Sequence, residues 1–326
     1  MKKILITGAS GFIGQSLIKS LVKLNRPVRG TIRSINSFFP DAKTEYISTG
    51  DINIKTNWKE SLVNVGCIIH CAGKAHIMKT KKNDFSKIYQ SINVDGTKQL
   101  AEQAVKAKVK RLIFLSTIKV HGEKTGNDDV GKFLNEQKKS LFHHKDLASP
   151  EDCYAISKLK AEKALWEISS RSGLEVVVVR LPLVYGNGAK GNLARLIKLV
   201  RSGIPLPLGL VKNQRSLIGI HNLVDLLIHC IDHPEASGKT FLASDGEDLS
   251  TPELIKLIAS SMGRKVNLFP LPIFMLKFLG LVFGKREEIN KLVGSLRVDS
   301  NYTTDVLNWT PPISVEEGIR RMVQGK

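Results

Sequence analysis

The chain begins with three evenly spaced glycines that follow a short apolar segment. Residues 4–6 are branched and apolar, as in a buried strand, and Gly8, Gly11 and Gly14 come directly after them. The next apolar residues recur at helical spacing: Phe12, Ile13, Leu17, Ile18, Leu21 and Val22. A strand, a glycine turn and a helix start are typical of a dinucleotide pyrophosphate site, where free helix amides face the phosphates. A structural turn is the alternative. We expect these cofactor contacts: Gly8, Ser10, Gly11, Phe12, Ile13 and Gly14.

Length and cysteine usage limit the class of protein. A chain of 326 residues with 42% hydrophobic content can bury a large core. Its four cysteines form no Cys-x-x-Cys pair, so we expect neither a disulfide framework nor a metal site. The first strand starts too early to leave room for a cleavable leader. We therefore expect a cytoplasmic protein.

The formal net charge of +19 is unusual for an ordinary enzyme and is explained either by an anionic partner or by a solvated basic surface. Nucleic acid, an anionic membrane and polyanionic small ligands all fit that sign, and we favour the small ligands. No nucleic-acid partner is expected, because the lysines are scattered and no helix-turn-helix or RNA-recognition signature is present.

One segment, residues 268–283, is very apolar. Two prolines and Lys277 leave its helical part shorter than the roughly 20 residues that a membrane span needs. The simplest interpretation is a helix packed on the protein. The alternative is an interfacial helix, supported by Lys285 and Arg286 at the end of residues 268–286, that gives peripheral membrane association.

Strand-like and helical segments alternate along the first half of the chain, which predicts a doubly wound parallel sheet of the Rossmann type. The strand-like runs are 3–7, 27–32, 44–48, 66–71, 111–116 and 175–180. Ligands of such sheets bind outside the carboxyl ends of the strands. We expect residues 1–183 to form the dinucleotide-binding domain, with part of 215–240 returning to it. Residues 184–326 are expected to form mainly a smaller α/β substrate lobe.

Tyr154 and Lys158 are four residues apart in a helical segment and therefore lie on one face. A nearby ammonium favours the phenolate and lowers the pKa of the tyrosine, which suits it to exchange a proton with a substrate oxygen. Together with the glycine motif and with Ser116 and Thr117 at a strand end, this pair resembles the extended short-chain dehydrogenase/reductase superfamily.

That resemblance extends over nearly the whole chain and implies further roles. Thr117, in Thr117-Ile-Lys-Val-His-Gly122, takes the position of the hydroxyl that bonds the reacting oxygen. It thus joins Tyr154 and Lys158 as a catalytic residue. The likeness implies these further cofactor contacts: Asp51, Ile52, Cys71, Ala72, Gly73, Asn93, Ser116, Tyr154, Lys158 and Leu181.

Other segments resemble the epimerases, dehydratases and reductases of UDP-sugars: 180–186, 191–193 and 215–225. By that likeness Asn192 and Leu193 meet the UDP, and Arg215 binds the diphosphate, although an ion pair would also explain Arg215. Asp225 is explained as well by helix-end electrostatics. The further candidates for contact with the substrate are Lys74, Lys119 and His76, although a solvated surface side chain is the simpler interpretation of each. A homodimer is expected from likeness alone.

The second strand ends without the acid that an NAD-specific fold carries about 20 residues after the last motif glycine. Arg33 stands there instead, where it would pair with a 2′-phosphate, so we favour NADP over NAD. An ordinary exposed arginine is the alternative.

Within the group, the chain resembles O-antigen proteins that act at C4 of UDP-sugars. The favoured reaction is the reduction of a UDP-4-keto-6-deoxy-N-acetylhexosamine in polysaccharide biosynthesis, and the alternative is a 4-epimerase that retains NAD. A dehydratase is disfavoured because Ile118 and Lys119, rather than an acid pair, follow Thr117. A non-catalytic NADP-binding scaffold or sensor is the alternative from another class, and the presence of Tyr154 and Lys158 argues against it.

Overall fold

The structure is a computed structural model that describes residues 2–34, 44–75, 82–126, 140–189 and 191–325. Its main sheet has seven strands in the order β3-β2-β1-β4-β5-β6-β9, and every neighbouring pair is parallel. The strands are β1 (Lys3–Thr7), β2 (Val28–Ile32), β3 (Glu45–Ser48), β4 (Val65–His70), β5 (Arg111–Thr117), β6 (Glu175–Leu181) and β9 (Lys239–Leu242). The predicted doubly wound α/β sheet is confirmed, and its six predicted strands begin and end within one residue of these bounds.

Helices cover both faces of this sheet. One face carries α1 (Phe12–Lys23) and α6 (Ile220–Asp232), which pack on each other. The other face carries α3 (Gly96–Lys106) and α4 (Cys153–Ser172), whose apolar residues form a second core with Trp58. The central strands β1, β4, β5 and β6 are buried on both sides, which explains their largely apolar sequence.

A helix of irregular pitch leads into α3. The chain runs through α2 (Lys82–Tyr89) and a π-helical segment, Gln90–Asp95, before α3 begins at Gly96. Such π-helical turns are frequent at functional sites. Here the segment carries Asn93, which is buried and hydrogen-bonds Ser157 of α4.

After β6 the chain leaves the main sheet and forms a smaller region. A three-stranded sheet forms from β7 (Leu183–Tyr185), β8 (Arg215–Gly219) and β10 (Asp248–Leu249) in the order β10-β8-β7. The helices of this smaller region are α5 (Asn192–Ser202), α7 (Thr251–Ser261), α8 (Ile273–Val282), α9 (Arg286–Val293) and α11 (Val315–Gln324). Between β8 and β10 in the sequence, the chain returns to the main sheet with helix α6 and strand β9. Helix α10 (Asn301–Leu307) packs against β9.

Candidate active site

The turn after β1 requires glycine at two positions. Gly8 has a φ of +66°, and a Cβ on it would lie 2.9 Å from Cα of Ala72, in the loop after β4. A Cβ on Gly14 would lie 2.3 Å from the carbonyl oxygen of Gly8. The turn after β1 can pack this closely against the loop after β4 and against the start of α1 only because Gly8 and Gly14 have no side chains.

The first turn of α1 is suited to an anion. Its N-cap is Gly11, no side chain caps the helix, and no acidic residue lies in the first turn. Gly11 and Ser10 are exposed, and Phe12 and Ile13 are half-buried. Uncapped helix amides and the positive end of the helix dipole bind phosphates. These residues therefore fit the pyrophosphate of a nicotinamide dinucleotide.

A buried histidine ties the glycine turn to the neighbouring strands. His70, at the end of β4, hydrogen-bonds Oγ1 of Thr7 at 2.6 Å and Oγ1 of Thr97 at 2.9 Å. Thr7 Oγ1 also accepts from the amide of Ala72. Burial lowers the pKa of His70 to about 3, and the Lys158 ammonium adds to the effect. At neutral pH this histidine is an uncharged structural bridge.

Asn93 joins the loop after β4 to α4, the helix that carries Tyr154 and Lys158. Its Oδ1 accepts from the amide of Lys74 at 2.8 Å, and its Nδ2 donates to the carbonyl of Lys74 at 3.0 Å. Nδ2 also donates to Oγ of Ser157 at 3.0 Å, and that hydroxyl donates to the carbonyl of Tyr154. The predicted cofactor loop and the predicted catalytic tyrosine are therefore held by one amide side chain.

Tyr154 lies in the first turn of α4 with its ring 5.9 Å from that of Tyr89. Burial raises the pKa of the Tyr154 phenol, and the Asp152 carboxylate and Tyr89 raise it further. The sequence-based expectation that Lys158 lowers this pKa is wrong, because burial dominates. At neutral pH the phenol is protonated.

Lys158 is buried one helical turn later. Its Nζ lies 4.0 Å from the centroid of the Phe114 ring, a cation–π contact. A Cβ on Gly73 would lie 3.8 Å from the same Nζ, so the ammonium is adjacent to the loop after β4. Burial lowers the pKa of Lys158 to about 8, against the opposing influence of Glu162 and Cys71.

A buried polar network supports the end of β5 beside Thr117. Ser116 donates to Glu162, whose carboxylate accepts from Nε of Arg180 at 3.2 Å and from its Nη2 at 2.6 Å. Arg180 Nη1 donates to Nε2 of His121 at 2.8 Å. Sequence reasoning missed the role of Glu162, because its position eight residues after Tyr154 looks like any other charge on a helix.

Lys119 is engaged by carboxylates. Its Nζ donates to Glu123 at 2.6 Å and to Asp152 at 2.8 Å, while its amide donates to Oγ1 of Thr117 at 3.3 Å. Burial by itself lowers the pKa of Lys119, but the hydrogen bonds to Asp152 and Glu123 outweigh it, so the pKa is raised. The side chain lies beside the predicted catalytic threonine but is held as an ion-pair centre.

Arg33 and Asp51 meet at the outer end of the crevice. Nε of Arg33 lies 2.9 Å from Oδ1 of Asp51, and both side chains are exposed. Ile52 packs so closely on the start of α3 that a Cβ on Gly96 would lie 2.5 Å from its Cγ2. The structure thus brings an acid to the end of β2 that linear spacing did not reveal.

The predicted UDP contacts lie in the smaller region. Nη1 of Arg215 donates to the carbonyls of Lys291 and Gly294 at 2.9 and 3.1 Å, so part of the guanidinium holds the end of α9. Burial lowers the pKa of Arg215. Asn192 is exposed in the first turn of α5, whereas Leu193 is buried in the core of this region.

Several other predicted residues have mainly structural surroundings. Leu181 is buried at the end of β6, and Cys71 is half-buried beside Lys158. Asp225 accepts a hydrogen bond from Nε1 of Trp309 at 2.8 Å. His76 lies outside the described residues. Within the described ranges, no group of three or more potential metal ligands occurs.

The described helices are also all too short or too polar to cross a membrane.

The fold and the site define a nicotinamide-dinucleotide enzyme of the extended short-chain dehydrogenase/reductase type. The chain belongs to the NAD dependent epimerase/dehydratase family, whose pattern matches residues 4–243. The predicted family resemblance is therefore confirmed.

Similar proteins cover the full chain. A Vibrio cholerae protein named UDP-glucose 4-epimerase is 41% identical over 325 residues, which are 99% of this chain and 95% of that protein. An Escherichia coli O157:H7 protein, named N-acetyl-alpha-D-glucosaminyl-diphospho-ditrans,octacis-undecaprenol 4-epimerase, is 23% identical over 98% of this chain and 94% of its own length. The crystal structure of Bacillus cereus UDP-glucuronic acid 4-epimerase with NAD has a TM-score of 0.76 at 21% identity and covers 99% of this chain and 98% of that one, a likeness of fold.

Proposed function

We propose that this protein is an oxidoreductase acting at C4 of a UDP-hexose, with Thr117, Tyr154 and Lys158 as its catalytic residues. The observation that carries the proposal is the meeting of three elements at one crevice. The buried ammonium of Lys158 borders the loop after β4, Tyr154 lies one turn away on the same helix face, and Thr117 ends the adjacent strand β5. The names of the similar proteins support a UDP-sugar as substrate.

The residues divide the chemistry between them. A bound nicotinamide supplies or accepts the hydride at C4 of the sugar. Tyr154 holds the proton that moves to or from the oxygen on C4, and Thr117 donates a hydrogen bond to the same oxygen. Lys158 keeps a positive charge beside the crevice, which stabilises negative charge on oxygen during the transfer.

For the direction of reaction we favour reduction of a 4-keto-6-deoxy sugar. Reduction requires Tyr154 to begin as a neutral acid, and burial keeps its phenol protonated at neutral pH. The resemblance to O-antigen proteins is the basis for placing the product in the assembly of a surface polysaccharide.

A 4-epimerase with retained NAD is the second candidate. The name of the Vibrio cholerae relative favours it, since that protein is similar along the whole chain. Tyr154 would take the proton from the C4 hydroxyl, with Thr117 and Lys158 in the same supporting roles, while the retained NAD would accept the hydride from C4. Both would return to the opposite face of C4 after the keto sugar has turned. A non-catalytic NADP sensor has less support, because the proton-transfer residues are all present.

The sugar carrier has a second candidate as well. The Escherichia coli relative is named for a sugar on undecaprenyl diphosphate rather than on UDP. A markedly apolar exposed helix, α8, favours this possibility because a lipid-linked sugar is presented at a membrane surface. For both carriers we propose that Arg215 binds the diphosphate. Asn192 and Leu193 would contact the group that carries it.

For the cofactor we favour NADP, bound through Arg33, with NAD as the alternative. The Arg33 side chain is exposed, and its surface ion pair with Asp51 is of a kind worth at most about 1 kcal/mol, so a 2′-phosphate can compete for it. We expect Arg33→Ala to raise the Kd for NADPH about tenfold and to leave that for NADH within twofold. Equal changes for the two cofactors would contradict this assignment.

The test of function uses purified protein with UDP-N-acetylglucosamine and with its 4-keto-6-deoxy derivative, each with NADPH and with NADH. Stoichiometric oxidation of the reduced cofactor by the keto sugar identifies a reductase. Redox-neutral interconversion of two UDP-sugars identifies an epimerase. Cofactor binding without either reaction would contradict a UDP-sugar as the substrate.

A further inference from the structure

Helix α8 has an unusually exposed apolar surface. Phe274 is 72% exposed, Phe278 is 64% exposed and Phe283, directly after the helix, is 71% exposed. We call the following set the α8 surface: Phe274, Met275, Phe278, Leu279, Leu281, Val282 and Phe283. Single exposed apolar residues are common, but a contiguous patch of this kind marks an interaction site.

Only a narrow stripe of α8 attaches it to the protein. Leu276 and Gly280, one turn apart, are its buried residues. A Cβ on Gly280 would lie 2.8 Å from Cγ1 of Ile289, so α8 is pressed closely onto α9. A surface helix normally presents polar residues to water on the opposite side. Here that side is apolar, which leaves it without a suitable environment in water.

The charges around the α8 surface favour an anionic occupant. Lys277 is exposed on α8 itself, and Lys285 and Arg286 are exposed just after Phe283. Lys285 pairs with Glu288 at 3.8 Å, and Glu287 is exposed beside Arg286, so these three cations and two acids leave a small positive excess. The whole chain carries a formal net charge of +19. A second copy of the chain would bring a like charge against this basic rim, whereas an anionic lipid surface would be attracted to it.

The dimensions fix how α8 would meet a membrane. Ten residues of helix span about 15 Å, half of the roughly 30 Å hydrocarbon core of a bilayer. A helix of this length with a basic rim lies in the plane of the interface, with its aromatic and aliphatic side chains among the headgroups and upper acyl chains.

The α8 surface is connected to the crevice through α9. The carbonyls of Lys291 and Gly294 at the end of α9 accept from Arg215, and Arg215 lies within electrostatic reach of Glu123. Glu123 in turn pairs with Lys119, beside Thr117. A membrane that binds the α8 surface would therefore lie next to the part of the smaller region that carries Arg215, a predicted substrate contact.

We propose that the α8 surface inserts into the interface of an anionic phospholipid bilayer and holds this protein there as a peripheral enzyme. The binding depends on two contributions, burial of the apolar side chains and attraction of the basic rim. It does not depend on the identity of the sugar reaction, so it is measured independently of activity.

The experiment measures co-sedimentation of the full chain with vesicles of phosphatidylcholine alone and of phosphatidylcholine with one-third phosphatidylglycerol. We expect binding to the anionic vesicles that falls as salt rises, because screening weakens the electrostatic contribution. Phe274→Ser with Phe278→Ser should lower the partition coefficient at least about thirtyfold, as expected for removing two buried aromatic side chains. Lys277→Glu with Arg286→Glu should lower it about tenfold or more.

The control replaces two exposed apolar residues outside α8, Leu24 and Val63, which are 57% and 58% exposed. Leu24→Ser with Val63→Ser should bind vesicles as the wild type does. Thermal unfolding and NADH binding, measured for every variant, show that each one is folded.

Three results would overturn the proposal. They are no binding to anionic vesicles, equal loss in the control and the α8 variants, and a stable dimer that the Phe274→Ser and Phe278→Ser pair abolishes while vesicles remain unbound. The last result would assign the α8 surface to a second copy of the chain.

Discussion

Replacing Asn93 by alanine tests whether one amide side chain holds the proposed cofactor loop after β4 against α4, the helix of Tyr154 and Lys158. The change removes two hydrogen bonds to the backbone of Lys74, at 2.8 and 3.0 Å, and one to Ser157 at 3.0 Å. Asn93 is 2% exposed, so water reaches the vacated groups poorly. Each buried hydrogen bond contributes about 1 kcal/mol, and an unsatisfied partner costs more.

We therefore expect Asn93→Ala to lower the free energy of unfolding by about 2–4 kcal/mol and the Tm by roughly 5 °C or more. The value of kcat/KM should fall at least about tenfold, because Tyr154 and the loop beside Lys158 lose their common support. Urea denaturation and a steady-state assay measure the two effects.

The matched control is Asn57→Ala, which removes an exposed asparagine whose Oδ1 accepts a single hydrogen bond from the amide of Lys59. That change should cost less than about 0.5 kcal/mol. A loss below 1 kcal/mol for Asn93→Ala, or equal losses for the two variants, would refute the reasoning.

Two further predictions concern the glycine turn and the buried histidine. Gly8→Ala adds a strained φ and a 2.9 Å contact with Ala72, so it should cost about 2 kcal/mol more in urea unfolding than Gly173→Ala, where φ is +70° and nothing lies within 4 Å; equal costs would contradict this. His70 has a folded pKa of about 3, below the unfolded value near 6.5, so the unfolded chain binds the extra proton and stability is lost as pH falls from 6.5 towards 3. Between pH 7 and pH 4.5 the wild type should lose roughly 2–3 kcal/mol more than His70→Asn in denaturant titrations, and parallel losses would show that His70 does not titrate this way.

The main sheet could be predicted because its strands carry their own signal. Strands buried on both faces are continuous apolar runs, and the turn after β1 is fixed by the local requirements of Gly8 and Gly14. The last strand, β9, was missed. Its sequence begins with the polar residues Lys239 and Thr240 and so lacks an apolar run, and it joins the main sheet only by pairing with β6 from far along the chain.

The electrostatics of the site depended on contacts between distant residues. Spacing places Lys158 near Tyr154, but the extent of burial that raises the pKa of the phenol depends on the whole fold. Likewise Lys119 resembles a free substrate contact in the sequence, whereas Asp152, 33 residues later, reaches it in the structure. Arg33 and Asp51 become neighbours only because β2 and β3 are adjacent and parallel.

The central claim is that the phenol of Tyr154 transfers the proton at C4 of the sugar, and Tyr154→Phe tests it most directly. Among the described residues no hydrogen bond from this hydroxyl is lost, so the fold should be retained. We predict that turnover of the keto sugar and interconversion of UDP-sugars both fall by roughly 10²–10⁴, while the Kd for the cofactor changes less than twofold. Turnover equal to that of the wild type would contradict the account.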